Sequence, residues 1–285
     1  MLFVTLAIVT LTILGTSPAH AQWKDNVSTD VIYCGHYYSC DCSDEDILNS
    51  ETLTKVILKG NGHAHVVYMR NGTDILYIVL NGTDDNSRLI IKNKSKGSLI
   101  IVSKIKADGP IKLIKGKDVV LFGSLRSEHK IGIVELAVVD STARIIAPRI
   151  GKVNVEGSFS GYMILTDKSL SDKDLVLGEL TIGGDIYESR ILISGNVGLV
   201  KVKGYWGRGI TMAVGVEEGP DGRFFTKDDV LTGGSINNLQ VNLHKTENRG
   251  SAFGIIAGEI KKSKLGMPVK DGDFRIMESW DIWQY

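Results

Sequence analysis

The sequence predicts an all-β chain folded as a right-handed parallel β-helix, on three observations. Short β-branched runs recur with turn residues between them, no helical periodicity runs through the same stretch, and a glycine-anchored segment repeats at about the spacing of one coil. A β-sandwich made of similar hairpins is the alternative, because it gives the same first pattern of strands.

The strand texture begins at Lys55. Val56-Ile-Leu58, Val66-Val-Tyr-Met69, Ile75-Leu-Tyr-Ile-Val-Leu80 and Leu89-Ile-Ile91 come first. Leu99-Ile-Ile-Val102, Ile111-Lys-Leu-Ile114, Val119-Val-Leu-Phe122 and the stretch from Ile131 to Val139 follow. Repetition separates a coil from a sandwich. The segments starting at Gly151, Gly178 and Gly198 align without gaps through Leu165, Leu192 and Met212. Each reads glycine, apolar residues at positions three and five, glycine at seven, an apolar or aromatic residue at nine, then a second short strand. The alternation turns one side of each strand inward, and the glycine is expected to permit the turn between faces. Leu239-Gln-Val-Asn-Leu243 with Phe253-Gly-Ile-Ile-Ala257 is a weaker fourth copy.

Ahead of this domain lie two other segments. Residues 1–21 carry a short apolar run from Leu2 to Leu14, then Ala19-His20-Ala21 before Gln22, the small-x-small pattern of a signal peptide. The run is shorter than the roughly 20 residues that span a bilayer. The first residues carry no Lys or Arg, so an uncleaved anchor is the alternative. Export is expected, to the cell surface, the periplasm or the medium, with no transmembrane segment left after cleavage. Residues 22–54 are expected to form an N-terminal cap, with a short helix starting at Ser43, where acidic residues crowd the first turn. Residues 55–285 form the β-helix domain.

Charge narrows the classes of partner. Lys plus Arg and Asp plus Glu both number 33, giving a net charge of zero, and no block of like charge stands out. That argues against a nucleic-acid binder or a polybasic membrane patch. Gly is abundant at 32 and Pro scarce at 5, with apolar residues spread evenly, which points to a turn-rich globular chain.

Cys34, Cys40 and Cys42 lie in one short stretch. In an oxidising compartment one disulfide within the cluster is expected, with Cys34 to Cys40 or Cys42 the easier pairings and one thiol left over. With His36 the same stretch also holds the ligand types of a zinc site, at a spacing typical of no zinc module.

The segment Ala213-Val-Gly-Val-Glu-Glu-Gly-Pro-Asp-Gly-Arg-Phe-Phe-Thr-Lys-Asp-Asp-Val230 resembles the Gly-Val-Asp-Pro-Gly-Pro-Asp-Gly-x-Phe-Gly-Thr-x-Asp-Asp insert of exported bacterial repeat and β-helix surface proteins. Gly233-Gly-Ser-Ile236 and Gly254-Ile-Ile-Ala-Gly258 supply the segments that follow it there. The resemblance covers residues 195–262 and implies a β-helix of the cell surface. Glu218 stands where the family has Asp, and Phe225 where it has Gly. Asp221, Asp228 and Asp229, with Glu218 or Glu217, gather hard oxygen ligands around a tight turn, which suits calcium. An ordinary Asp-Gly turn with solvated acids is the other reading.

Other constellations carry less. Asn26-Val-Ser28, Asn71-Gly-Thr73, Asn81-Gly-Thr83 and Asn93-Lys-Ser95 are glycosylation sequons, but Asn-Gly is also turn chemistry, and the turn is expected. His63 and His65 share one side of a strand and are expected to be solvated rather than metal-bound. A polysaccharide hydrolase or lyase needs acids and bases converging from neighbouring rungs. Asp140, Arg144, Arg149, Asp167, Asp172 and Asp174 are the candidates, and none sits in a catalytic signature. Trp280, Trp283 and Tyr285 are expected to cover the last rung. The expected function is a non-catalytic structural or binding role outside the cell. Cell-wall or extracellular polysaccharide, or surface proteins, are the partners. A polysaccharide-active enzyme and an adhesion module are the alternatives.

Overall fold

Successive strands pair parallel and in register, so the chain is a parallel β-helix. The computed structural model describes residues 29–33, 54–69, 73–95, 97–167, 174–207, 209–217, 220, 229–243, 253–266 and 274–278. No helix occurs among the described residues. The strand Ile111–Ser127 shows how one coil is drawn. Its register slips against the coil before it between Val102 and Lys104, and against the coil after it between Gly116 and Val120. These slips are corners, and they divide the coil into three faces. Face A holds 111–116 and stacks on 131–136, Ile150–Val155, and parts of Leu175–Ile182, Asn196–Trp206 and Ser235–Leu243. Face B holds 119–121 and shrinks to single bridges through Phe159, Ile186 and Trp206. Face C holds 124–127, then Arg144–Ala147, Tyr162–Leu165, Arg190–Ile193, Thr211–Val214, Phe253–Ala257 and Phe274–Met277.

A sandwich needs antiparallel partners throughout. Among the described residues such pairs join Thr54–Lys59 to Arg88–Asn93, His63–Tyr68 to Ile75–Asn81, and Val216–Glu217 to Val230–Leu231. The first two lie toward the N-terminal end of the stack; the third is a loop neck. Thr29–Tyr33, inside the segment expected to be the cap, pairs parallel with His63–Tyr68. The helix expected from Ser43 lies outside the described residues.

Each face contributes at least one inward ladder. Leu89, Ile114, Val134, Val153, Leu180, Val200 and Leu239 line face A. Val102, Leu121, Val139, Phe159, Ile186 and Trp206 line face B. Ile78, Ile105, Leu125, Ile145, Met163, Ile191, Met212 and Ile255 line face C. None is more than 1% exposed, so each contributes the full burial of about 1.5–3 kcal/mol expected of a large apolar side chain. A lone rung buries little of its own inner side, so stacking supplies this stability.

The repeat read from the sequence is physically a stack, with two corrections. Val153, Leu180 and Val200 are register partners, as are Val155, Ile182 and Val202 across the same strands. The gapless alignment holds through position nine, where Phe159, Ile186 and Trp206 bridge one another. It then slips by one residue per coil: Leu165 pairs with Ile193 rather than Leu192, and Leu192 pairs with Ala213 rather than Met212. The corner between faces B and C lengthens from coil to coil, and Glu188, the one non-glycine described at positive φ (47°), sits in it.

The second correction concerns the glycines. Gly151, Gly178 and Gly198 do not adopt positive φ; they are needed for close approach. A Cβ on Gly151 would lie 2.6 Å from the Gly132 carbonyl oxygen, and one on Gly178 or Gly198 would press closer still on the carbonyl of the glycine beneath. Gly184 behaves alike, with a Cβ 2.8 Å from the Gly157 carbonyl carbon. The glycines are stacking residues, and Gly132 extends their column one coil earlier than the sequence pattern suggested.

Candidate functional site

The coil's solvent-facing sides are where a ligand or partner would be met, and their side chains follow from strand alternation and register. On face A the outward rows mix signs. Lys115 registers against Glu135, with Nζ 3.3 Å from the carboxylate, and Lys152 against Glu179 at 2.9 Å. Lys117 adds a pair to Glu156 at 3.2 Å. The Lys152 ammonium, helped by the Thr181 hydroxyl at 2.8 Å, holds the Glu179 carboxyl below its usual range. Four of the charges in these rows are thus paired between adjacent rungs, while Lys201 and Lys264, further along the Lys115 row, enter no ion pair among the described residues.

Face C differs. Its first outward row runs Lys104, Ser124, Arg144, Tyr162, Arg190, Thr211. The second runs Lys106, Arg126, Ile146, Ile164 and Leu192 through the same pairings and ends at Ala213, which is buried. Buried Ile105, Leu125, Ile145, Met163 and Ile191 between the rows fix their outward sense. The Arg144 guanidinium lies over the Tyr162 ring, 5.7 Å from its centroid, and Tyr162 keeps 39% of its surface exposed.

Of the residues proposed for catalysis, Arg144 lies on face C and the other described ones fall at corners. Asp140, between faces B and C, is turned onto its own turn: its Oδ1 accepts the Thr142 N–H at 3.0 Å and the Thr142 and Ser141 hydroxyls at 2.9 and 3.4 Å. The Thr142 backbone N–H, seconded by these hydroxyls, holds its carboxyl below the ordinary range. Arg149, Asp167 and Asp174 lie at the opposite corner, between faces C and A. There the Asp167 N–H donates to Ser194 Oγ (3.2 Å) and the Asp174 carbonyl accepts from Asn196 Nδ2 (3.2 Å). Asp172 lies outside the described residues. The geometry thus separates Asp140 and Arg144 from Arg149, Asp167 and Asp174.

The acidic loop leaves the coil at that second corner. Val216 pairs with Leu231 and Glu217 with Val230, and the Thr232 N–H donates to the Gly215 carbonyl at 2.9 Å, so the loop has a closed neck. Glu217 is exposed, and Asp229 is buried against the neck at 8% exposure. Glu218, Asp221 and Asp228 lie outside the described residues, as do Cys34, His36, Cys40, Cys42, Trp280, Trp283 and Tyr285. Among the described residues no three His, Cys, Asp or Glu side chains gather as metal ligands do.

His63 and His65 share the outward side of their strand around buried Ala64. His65 stacks on Tyr77 with centroids 5.8 Å apart, and His63 Nε2 lies 3.5 Å from Asn81 Nδ2. Gly82 takes φ 66° and its N–H donates to Asp108 Oδ1, so Asn81-Gly82 is a corner turn. Asn93 Oδ1 accepts the Ser95 N–H at 2.8 Å while its Nδ2 donates to the Ser98 carbonyl at 2.9 Å, an Asx turn within that sequon. Asn26 and Asn71 lie outside the described residues.

Sequence reasoning missed the rows on face C. Part of the signal was legible: Lys104-Ile-Lys106, Arg144-Ile-Ile-Ala147 and Arg190-Ile-Leu-Ile193 each alternate outward and inward residues. Coils of unequal length hid the alignment between them. No family model, curated protein or solved structure matches the chain.

Proposed function

We propose that this chain is an exported, non-catalytic β-helix that works at the cell surface or outside the cell, holding extracellular or cell-wall polysaccharide, or a surface protein, against a face of its coil. The observation that carries the reading is the outer side of the stack, which runs for several rungs in register on faces A and C. Such a surface matches an extended repetitive partner better than a small substrate. Export is supported by the apolar run from Leu2 to Leu14 with Ala19-His20-Ala21, and an oxidising compartment would close one disulfide among Cys34, Cys40 and Cys42. Asp140, the best defined of the candidate acids, has its carboxyl held below the ordinary range, the opposite direction from the raised value of a glycosidase's general acid.

Calcium belongs to the same reading. Asp229 at the neck with Glu218, Asp221 and Asp228 beyond it is an oxygen-donor set suited to that ion, and binding would fix the loop on the coil. A thermal melt with calcium is expected to exceed one with chelator, and Asp228→Ala with Asp229→Ala to remove the difference. Equal melts would remove calcium from the account. The function itself is tested by a glycan and cell-wall-polymer screen that scores binding and product together. Retention without product is expected; release of oligosaccharide products would make the protein an enzyme.

A further inference from the structure

We propose that the outward side of face C binds a linear acidic polysaccharide along the coil axis. This deepens, and rests on, the reading of the chain as a polymer-binding β-helix. Four observations support it. The two outward rows hold Lys104, Lys106, Arg126, Arg144 and Arg190, and no carboxylate occupies either row. Lys104, Lys106 and Arg144 enter no ion pair among the described residues, and Arg126 reaches only Glu128, at 4.0 Å and with both side chains well exposed. Lys106 and Arg126 are direct register partners, so like charges face each other across adjacent strands, a destabilising arrangement that a bound anion would relieve. Face A handles the same composition differently, pairing Lys115 with Glu135 and Lys152 with Glu179. The chain is neutral as a whole, so the gathering of Lys104, Lys106 and Arg144 on face C without an ion-pair partner among the described residues is a matter of placement.

The carboxylates nearest in sequence stand at the corners of the face. Asp108 accepts the Gly82 N–H and Asp140 its own turn, while Glu128 and Glu188 flank the rows. The choice of a sugar polymer over other polyanions comes from Tyr162. Its half-exposed ring sits in register between Arg144 and Arg190, with Ile164 beside it in the second row, so a flat apolar step adjoins the cations. A pyranose ring can lie on the part of that step the Arg144 guanidinium leaves open while its carboxylate reaches a neighbouring rung. Rungs lie about 4.8 Å apart, so the cations repeat along the axis on the scale of a polymer's own repeat.

The test uses the full mature chain and four probes: polygalacturonate, its fully methyl-esterified form, polyglutamate and single-stranded DNA. Polygalacturonate is expected to bind more tightly than the other three, and to weaken as salt rises. Replacing Lys104, Lys106, Arg126 and Arg144 by Gln is expected to lower that affinity by about tenfold or more, since each exposed cation contributes only a fraction of a kcal/mol. Tyr162→Ala should weaken polygalacturonate and leave polyglutamate unaffected. Lys115→Gln with Lys152→Gln on face A should change neither. A thermal melt of each variant separates lost binding from lost fold. Binding that survives the four-residue change overturns the proposal, and so does equal or better binding of polyglutamate or DNA. Retention of the esterified polymer alone overturns it while leaving the polymer-binding reading intact. Retention of none of the probes, nor of any polymer in the wider screen, overturns both.

Discussion

Gly178 carries more of the architecture than its missing side chain suggests. A Cβ there would collide with the carbonyl oxygen of Gly151 on the coil beneath. Backbone cannot step aside as a flexible side chain can, so Gly178→Ala is expected to cost about 1–3 kcal/mol in urea unfolding, the range for overpacking a tight contact. Ser124→Ala, on an outward row, should fall within about 0.5 kcal/mol. Equal costs at the two positions would contradict the close stacking. Glu179 acts at the same scale through charge. Its carboxyl is held low chiefly by Lys152, so its folded value lies below its unfolded one, near 4.5. The stability it supplies is present above about pH 4.5 and is lost as the pH falls through the depressed value. Glu179→Gln is expected to flatten the acid limb of a stability–pH curve in that window while leaving the neutral limb's slope unchanged. An acid limb identical to that of the unchanged chain would show that the pair contributes nothing.

At the level of strands and loops, the corners and face B vary while faces A and C persist. Face A keeps its inward spacing from coil to coil, which is why Gly151, Val153 and Val155 could be matched to their partners from the sequence. Ile131-Gly-Ile-Val-Glu-Leu136 obeys the same pattern and registers under Ile150–Val155. It departs from the repeat only beyond that stretch, where Val138 and Asp140 stand at positions seven and nine in place of glycine and an apolar residue. Face C was legible as strands but not as a stack. Its B–C corners differ in length from coil to coil, and the stretches 168–173, 218–228 and 244–252 add to the sequence distance between partners. Only pairing reveals that Lys104, Arg144 and Arg190 share a row. The acidic loop illustrates the tolerance of corners. Since Val216 and Leu231 close its neck, replacing residues 218–228 with a short Gly-Ser link is expected to preserve the cooperative melt and abolish any response to calcium. Loss of cooperative unfolding would mean that the loop supports the coil itself.

Over the whole molecule, stability and function both derive from repetition along one axis. Each rung buries its neighbour's inner side, so the ladders through Val153, Phe159 and Met163 act as one continuous core. The outer sides inherit the same register, which converts short sequence patterns into rows of charge several rungs long. The proposed polymer partner depends on that inheritance, because a one-residue slip would turn Lys106 and Arg126 inward. In-register stacking is therefore the claim on which the rest stands. It is tested most directly by spin-label distances from Lys115 to outward positions of its own row: Asn154, Lys201 and Lys264. The row steps from Lys115 through Glu135, Asn154, Thr181, Lys201 and Gln240 to Lys264, giving backbone separations of about 10, 19 and 29 Å at roughly 4.8 Å per rung. A near-linear rise in that order is expected; distances that level off or reverse, as a chain folded back into a sandwich would give, would contradict the coil.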